Sequence, residues 1–324
     1  MEVSVVIPTC NRRHRVLSLL RDLSRSTHPI LEVLIVDSSD RTLRPSDLEG
    51  VGTLKVETIE EARKSVCVQR NLGIRRARGS WVWLCDDDIE VPPDYLETLA
   101  RHARSHPEAG AISGLWLERD SAFWRSQFPV TSSKGLLFRY VFQLGVWGEI
   151  QVRGPWIDRI GDTYHRRGNH ISRAGWPVLV DFTGSYFRTP IYTLGASLVK
   201  KEWLLDSPYD ERLDAHGIGD NYGVAIGFPR EGIHVVTGTS VRHHKEPVDR
   251  LASSEAYGRR LMALHYFIQS RKELGHVRES FFLWSLLGQV AFHSATGNLP
   301  FARAALSTLS AIVRGRNPLL SQFR

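Results

Sequence analysis

The run Trp81-Val82-Trp83-Leu84-Cys85, followed at once by Asp86-Asp87-Asp88, constrains this chain more than any other stretch. Five apolar residues without alternation fit a strand covered on both faces, as in a parallel sheet flanked by helices. Three carboxylates at the strand's exit repel one another unless a cation or hydrogen-bond donors compensate them, and a divalent metal ion is the economical compensation. Open α/β sheets bind ligands in the crevice beyond the carboxyl ends of their strands, where these acids fall. The plainer reading is an acidic turn capping the helix that opens near Pro93, because acids at a helix N-terminus are favourable. Three of them at a buried strand's end weigh for a site.

The rest of the first third repeats the same grammar. Val3–Ile7 reads as a short buried strand halted by Pro8, and Asn11 stands where a helix N-cap would. Val16, Leu19, Leu20 and Leu23 recur at helical spacing and predict an amphipathic helix over 13–26. Residues 32–36 predict a second strand ending at Asp37, 53–59 a weaker third, and 62–78 a helix that carries Gln69-Arg70-Asn71 and closes at Gly79. A helix over 93–106 and a strand over 109–117 follow the acidic run. Alternating strands and helices imply a Rossmann-like, mostly parallel sheet flanked by helices. Pro8-Thr9, Asp37 and Asp86–Asp88 then share one rim, although Asp37 alone also fits a turn acid.

Composition narrows the classes. The chain has 324 residues, 42% hydrophobic and 24% charged, enough for one large α/β core or two smaller domains. Cys10, Cys67 and Cys85 lack the spacing of a disulfide framework or a zinc site and fit a reducing compartment. No secretory pattern precedes the first strand, so a cytoplasmic location is expected. From residue 242 onward 12 Lys and Arg face 5 Asp and Glu, which accounts for the whole net charge of +7. Such a tail points to an anionic surface, either nucleic acid or phospholipid. A nucleic-acid-binding protein would explain the charge but not the acidic rim, so no nucleic-acid partner is expected.

Four ordered segments carry a resemblance: Val5-Val6-Ile7-Pro8-Thr9-Cys10-Asn11-Arg12, Leu34-Ile35-Val36-Asp37-Ser38-Ser39-Asp40, Arg70–Gly79, and Leu84-Cys85-Asp86-Asp87-Asp88. Together they resemble family 2 glycosyltransferases of the GT-A fold, over residues 1–117 and again at Leu194-Gly195-Ala196-Ser197-Leu198-Val199 and Tyr209–Leu213 through Gly219-Asp220. The resemblance implies a nucleotide-sugar donor, transfer to a glycan or lipid-linked acceptor hydroxyl with inversion, and a divalent Mn²⁺ or Mg²⁺ ion. It implies that Pro8, Thr9, Asn11 and Asp37 border the base and ribose, and that Arg70 lies against the base or diphosphate. Asp86 and Asp88 match the DxD pair, Asp86 towards ribose or metal and Asp88 towards metal. Aligning on Pro92 instead makes Asp87 the metal ligand. Nucleotidyltransferases that make such donors share the layout but open on a Gly-rich basic loop, which Pro8-Thr9-Cys10-Asn11 is not.

The resemblance divides the chain into a donor half over 1–117, an acceptor and catalytic-base half over 118–250, and a helical C-terminal extension over 251–324. Asp220 takes the base position; an Asp capping the following segment is the alternative. Asp210, Glu211 and Asp214 are nearby rivals better suited to salt bridges or turns. His243 and His244 follow a strand expected over 233–237, and either could complete the metal sphere. Adjacent residues of an extended segment point to opposite faces, so at most one faces the site. Residues 118–192 match no motif; their aromatics, among them Trp124, Phe138, Phe142, Trp147, Trp156 and Tyr164, fit packing better than an acceptor pocket. The apolar runs at 281–292 and 304–313 are too short to span a bilayer. With Arg303, Arg314 and Arg316 flanking the second, they suit either buried helices or peripheral contact with an anionic membrane at the cytoplasmic face.

Overall fold

The computed structural model of the chain describes residues 1–48, 51–213, 216–229, 231–245 and 251–320. In chain order the first elements are β1 (Val3–Thr9), α1 (Arg13–Leu23), β2 (Glu32–Asp37), β3 (Val56–Glu60), α2 (Val66–Arg76), β4 (Trp81–Leu84), β5 (Ile89–Glu90), α3 (Tyr95–Ser105), β6 (Ala111–Asp120) and β7 (Phe123–Arg125). Next come α4 (Ser133–Val141), β8 (Val146–Trp147), α5 (Ile157–Arg167), β9 (His170–Ile171) and β10 (Pro177–Leu179). Then follow β11 (Tyr186–Thr189), β12 (Leu198–Lys200), α6 (Lys201–Asp206), α7 (Asp220–Ala225) and β13 (Ile233–His243). The chain closes on α8 (Ser253–Ser270), α9 (Glu279–Ala295) and α10 (Leu299–Val313). These elements form two compact units, residues 1–126 with 183–250, and residues 127–182 with 251–324. Residues 127–182 thus group with the C-terminal helices.

The first unit is built on a sheet ordered β11-β13-β6-β12-β4-β1-β2-β3, with β5 added to β13 and β7 to β6. β1 pairs in parallel with β2 and β4, and β2 with β3, so the carboxyl ends of these strands share a rim. β12 runs antiparallel between β4 and β6, and β11 antiparallel to β13, which makes the sheet parallel-rich and mixed. β1 continues through Pro8 to Thr9, opposite Asp37, and is not halted at the proline. Even-numbered residues of β1 face β4, whose ladder ends at Val6↔Leu84, so the N–H missing at Pro8 costs no ladder bond.

The apolar alternation of β1 explains the layers. Val3, Val5 and Ile7 join Val33, Ile35, Trp83 and Cys85 in a core covered by Val16, Leu19, Leu20 and Leu23 of α1 and by Tyr95, Leu96 and Leu99 of α3. Each such side chain contributes about 1.5–3 kcal/mol on burial. Val6 and Val36 face the other way, against α2. A methyl group on Gly73 would come within 2.5 Å of Val6 and 3.2 Å of Val36, so only glycine lets α2 lie this close to the sheet.

β13 spans the full depth of the sheet. It pairs with β6 as far as Val236↔Gly114 and resumes at Ser240↔Leu115, so residues 237–239 bulge out of the ladder. At its start lies an aromatic cluster: His102 Nε2 and His234 Nδ1 are 2.9 Å apart, His106 stacks on His102 at 4.0 Å, and Tyr186 stacks on His234 at 4.9 Å. Burial, then the neighbouring histidines, push His102 down to about 4. Glu108 and Arg188, itself bonded to Glu231, flank the group.

The second unit holds a small sheet ordered β8-β10-β9 over a core of Val130, Leu136, Val146, Ile150, Ile157 and Val178. α10 packs on both α8 and α9. His265 of α8 meets Glu279 of α9 at 3.0 Å, and Trp176 Nε1 donates to Ser285 Oγ at 2.7 Å. Among the described residues no helix is long and apolar enough to cross a membrane.

Candidate active site

The rim formed by the ends of β1, β2, β4 and β13 gathers the acidic run with three cations. Asp86 to Asp88 leave β4 with Cys85 N donating to Val6 O and Asp86 N to Gly195 O, so the run is fixed between β1 and the loop before β12. Asp87 and Asp88 turn towards Arg12, and Asp86 turns away from it. Asp87 is buried, accepts from Thr9 Oγ1 at 2.7 Å and from Arg12 Nη1 at 3.1 Å, and lies beside Asp88. Burial pushes its pKa up to about 6, with Arg12 opposing and Asp88 adding to the rise. Asp88, also buried, stands 3.7 Å from Arg12 Nη1 and 3.3 Å from His243 Nε2.

Asp86 points the other way, to Arg70 of α2, whose second guanidinium nitrogen bonds Asp220. The buried guanidinium thus bridges two carboxylates that are far apart in sequence, and it lies 5.0 Å from the centre of the Tyr209 ring. Burial opposes its charge, but Asp220 and Asp86 help raise its pKa well above the usual value. Asp220 is raised by burial, with Arg70 opposing. It is the first residue of α7, and Gly219 is the N-cap, so Asp220 does not cap the helix.

The two histidines part as strand alternation requires. His243 faces Asp88, with Nδ1 3.8 Å from Glu118 and the ring 4.7 Å from Trp116. Burial disfavours its charge, but the Asp88 and Glu118 carboxylates outweigh that and raise it to about 9. His244 turns to Glu90 at 3.1 Å, outside the group. Asp88 Oδ1 and His243 Nε2 have the separation expected of two ligands about 2.1 Å from one ion. Among the described residues no three His, Cys, Asp or Glu side chains are arranged to hold a metal. A two-ligand site suits an ion that completes its shell with water and phosphate oxygens.

Other expected residues have different duties. Asp37 is fully buried, and its oxygens accept from Ser39 N and Leu43 N at 2.8 Å each, ordering the loop after β2. Asn11 is not the N-cap of α1; that position is Arg12, without a side-chain cap. Asn11 adopts φ 56° and exchanges two hydrogen bonds with Asp40, tying the loop after β1 to the loop after β2. Pro8 is buried opposite Val36. Asp210 pairs with Arg212, and Glu211 with Asn71 and Arg63, as turn and bridging acids; Asp214 lies outside the described residues.

Sequence reasoning missed Arg12 and Glu118 as partners of the acidic run, and the roles of Gln69 and Asn71. Gln69 Nε2 donates to Thr9 O and Val36 O, binding α2 to both strand ends. Asn71 pairs with the Tyr209 backbone in both directions. Their only sequence signal is three consecutive polar residues at buried positions of a helix.

Residues 4–152 match the profile of glycosyl transferase family 2. These residues are a family 2 glycosyltransferase domain. The chain is 30% identical over 118 residues to the uncharacterized glycosyltransferase YwdF of Bacillus subtilis (strain 168), covering 35% of this chain and 44% of that protein. It therefore spans less than half the length of that relative. Among solved structures, GalNAc-T7 with UDP, GalNAc and Mn²⁺ superposes with a TM-score of 0.53 at 15% identity, over 91% of this chain and 57% of that one. S. aureus TarS 1-349 in complex with UDP-GlcNAc gives 0.51 at 14% identity, over 98% and 93%. These likenesses establish the GT-A fold for the family 2 domain and the strands that complete its sheet.

Proposed function

We propose that the chain is an inverting glycosyltransferase that moves a sugar from a nucleotide-sugar donor to the hydroxyl of a glycan or lipid-linked acceptor. The observation that carries this reading is the joining of Asp86 and Asp220 through Arg70 at the rim that also holds Thr9, Asp88 and His243. In this reading residues 1–117 supply the donor side, and Asp220 of α7, in the same unit, serves the acceptor hydroxyl. Pro8, Thr9, Asn11 and Asp37 shape the wall towards the nucleoside, the last two by ordering the loops they bind. Arg70 presents positive charge to the diphosphate while holding Asp86 in place. The UDP-GlcNAc complex of TarS supports a nucleotide-sugar ligand, and the UDP and Mn²⁺ of GalNAc-T7 support a nucleoside diphosphate and a divalent ion here.

Asp88 and His243 would hold that ion, which supplies positive charge against the leaving diphosphate. Every other step falls to side chains of this chain. Asp220 takes the proton of the acceptor hydroxyl as its oxygen bonds to the anomeric carbon. The bond from that carbon to the diphosphate breaks on the opposite face, releasing the nucleoside diphosphate and inverting the configuration. Burial raises Asp220 towards neutrality, which makes it a stronger proton acceptor, while Arg70 keeps it ionised until the acceptor arrives. The thiols Cys10, Cys67 and Cys85 support a cytoplasmic setting, where such donors are made.

The test is Asp220→Asn, nearly isosteric but unable to accept the proton. Donor binding should persist while transfer falls by about two or more orders of magnitude. NMR of the wild-type product should show inverted configuration. Retention of configuration, or near-normal transfer by the variant, rejects the mechanism.

A further inference from the structure

The large apolar side chains left in solvent are unevenly placed. Of fifteen that are exposed among the described residues, twelve belong to the second unit. On α9, Phe281, Trp284 and Leu287 follow one another at intervals of three, so they form one stripe, each 36–46% exposed. Phe282, Ser285 and Leu286 are buried on the other side. Between Glu279 and His293 the helix has no charged residue, whereas a helix face meant for water carries charges.

α4 extends this stripe. Leu137, Tyr140 and Val141 are exposed there to a similar degree. Trp284 stacks on Phe142 at 4.8 Å and donates its indole N–H to Val141 O, while Phe138 lies 6.2 Å from Phe292. Gly288 makes the approach possible, because a methyl there would fall 2.5 Å from Phe142 Cβ. The two helices therefore present one continuous aromatic and aliphatic face, larger than a solitary exposed hydrophobe.

Charge selects the partner. The second unit carries 16 Lys and Arg against 7 Asp and Glu, the first 26 against 28. Exposed Lys134 lies one turn before Leu137 on α4, and exposed Arg278 one turn before Phe281. Two copies meeting through this unit would bring like charges together, which opposes self-association.

We propose that the α4–α9 face docks the protein on an anionic phospholipid bilayer, with its apolar side chains at the boundary between headgroups and acyl chains. The basic charge of the unit draws it to the surface, and among the described residues no helix is long and apolar enough to pass through. The docking face is thus α4 with α9, and Arg303, Arg314 and Arg316 of the α10 region add long-range attraction. This inference is independent of the catalytic reading.

The experiment is co-sedimentation of the full chain with vesicles of phosphatidylcholine plus phosphatidylglycerol, and of phosphatidylcholine alone, at low and high salt. The wild type should pellet with anionic vesicles at low salt and be released by salt or by neutral lipid. Leu137→Gln, Phe281→Gln and Leu287→Gln combined should lower the partition coefficient by at least about tenfold with unchanged circular dichroism and melting. Should the triple variant misfold, Leu287→Gln alone is read for the same loss. A wild type that stays in the supernatant with anionic vesicles, or a folded variant that binds as well as the wild type, overturns the proposal. So does light scattering that finds a wild-type dimer and a monomeric variant, since the face then belongs to a second copy.

Discussion

Gly195→Ala tests the geometry of the rim without removing any functional group. The added methyl would stand 2.2 Å from Asp86 Oδ2 and 2.5 Å from its Cγ. Heavy atoms settle at about 3.5 Å, so the carboxylate must withdraw by more than about 1 Å. The backbone offers little relief, because Asp86 N donates to Gly195 O at 2.7 Å. Rotation of the Asp86 side chain is the remaining route, and it pulls the carboxylate off Arg70. Local overpacking costs about 1–3 kcal/mol of stability. Misplacing a positioning group by about 1 Å costs about 100-fold in rate, or about 2.7 kcal/mol of transition-state stabilisation. The assays are release of nucleoside diphosphate from the donor and a thermal melt. Gly238→Ala is the control, since that glycine is exposed and a methyl there meets nothing within 4 Å. A folded Gly195→Ala protein with kcat/KM close to wild type would refute the claim that Asp86 must stay where Arg70 holds it.

Asp88→Ala and His243→Ala should each abolish Mn²⁺-dependent nucleotide binding, measured by calorimetry, and His244→Ala should leave it intact; a dead Asp87→Ala beside an active Asp88→Ala moves the ligand by one residue. Arg70→Met leaves Asp86 and Asp220 together without their cation and should destabilise the fold by about 3–5 kcal/mol in urea titrations, with part recovered on adding Asp220→Asn. Between pH 6.5 and about 4 the unfolded chain takes up a proton that folded His102 refuses, so stability rises with pH across that window and falls on acidification. Discounted for partial exposure, the change is on the order of 1–2 kcal/mol, and His102→Gln should flatten it in unfolding curves taken at several pH values.

The strands and helices of the first third were legible because their signals are local. Apolar runs at Val3–Ile7, interrupted only by Ser4, and at Trp81–Cys85 mark strands covered on two sides, and Leu19, Leu20 and Leu23 mark the buried face of α1. Asp86–Asp88 at a strand's exit could be placed on the rim from chain order alone. The partners of those acids could not. Arg12 stands in an unremarkable Asn-Arg-Arg stretch, and Glu118 reaches His243 only because β6 and β13 are adjacent in the sheet. That adjacency joins strands far apart in the sequence, and nothing in the residues of either marks the other as its neighbour. Asn11 misled because a short polar residue before a helix is the usual N-cap, and its φ of 56° depends on Asp40 across the rim. The aromatics of 118–192 have no period because they are divided between two units, Trp124 in the first and Phe138, Phe142 and Trp176 in the second.

β13 begins in the histidine cluster and ends at the rim, so one strand joins a group that resists protonation to one that holds its proton tightly. The three residues that leave the ladder after Val236 divide this strand into two paired segments. The first segment is registered on β6 and β11, the second on β6 and β5. Thr237 within the bulge is itself fixed, its N–H donating to Ser185 O at 3.0 Å and its hydroxyl to Gly184 O at 2.7 Å, so the register changes over an ordered stretch. A strand's period of two makes that change decisive, since a shift of one residue would bring His244 to the rim in place of His243. The joint in β13 therefore sets which histidine meets Asp88.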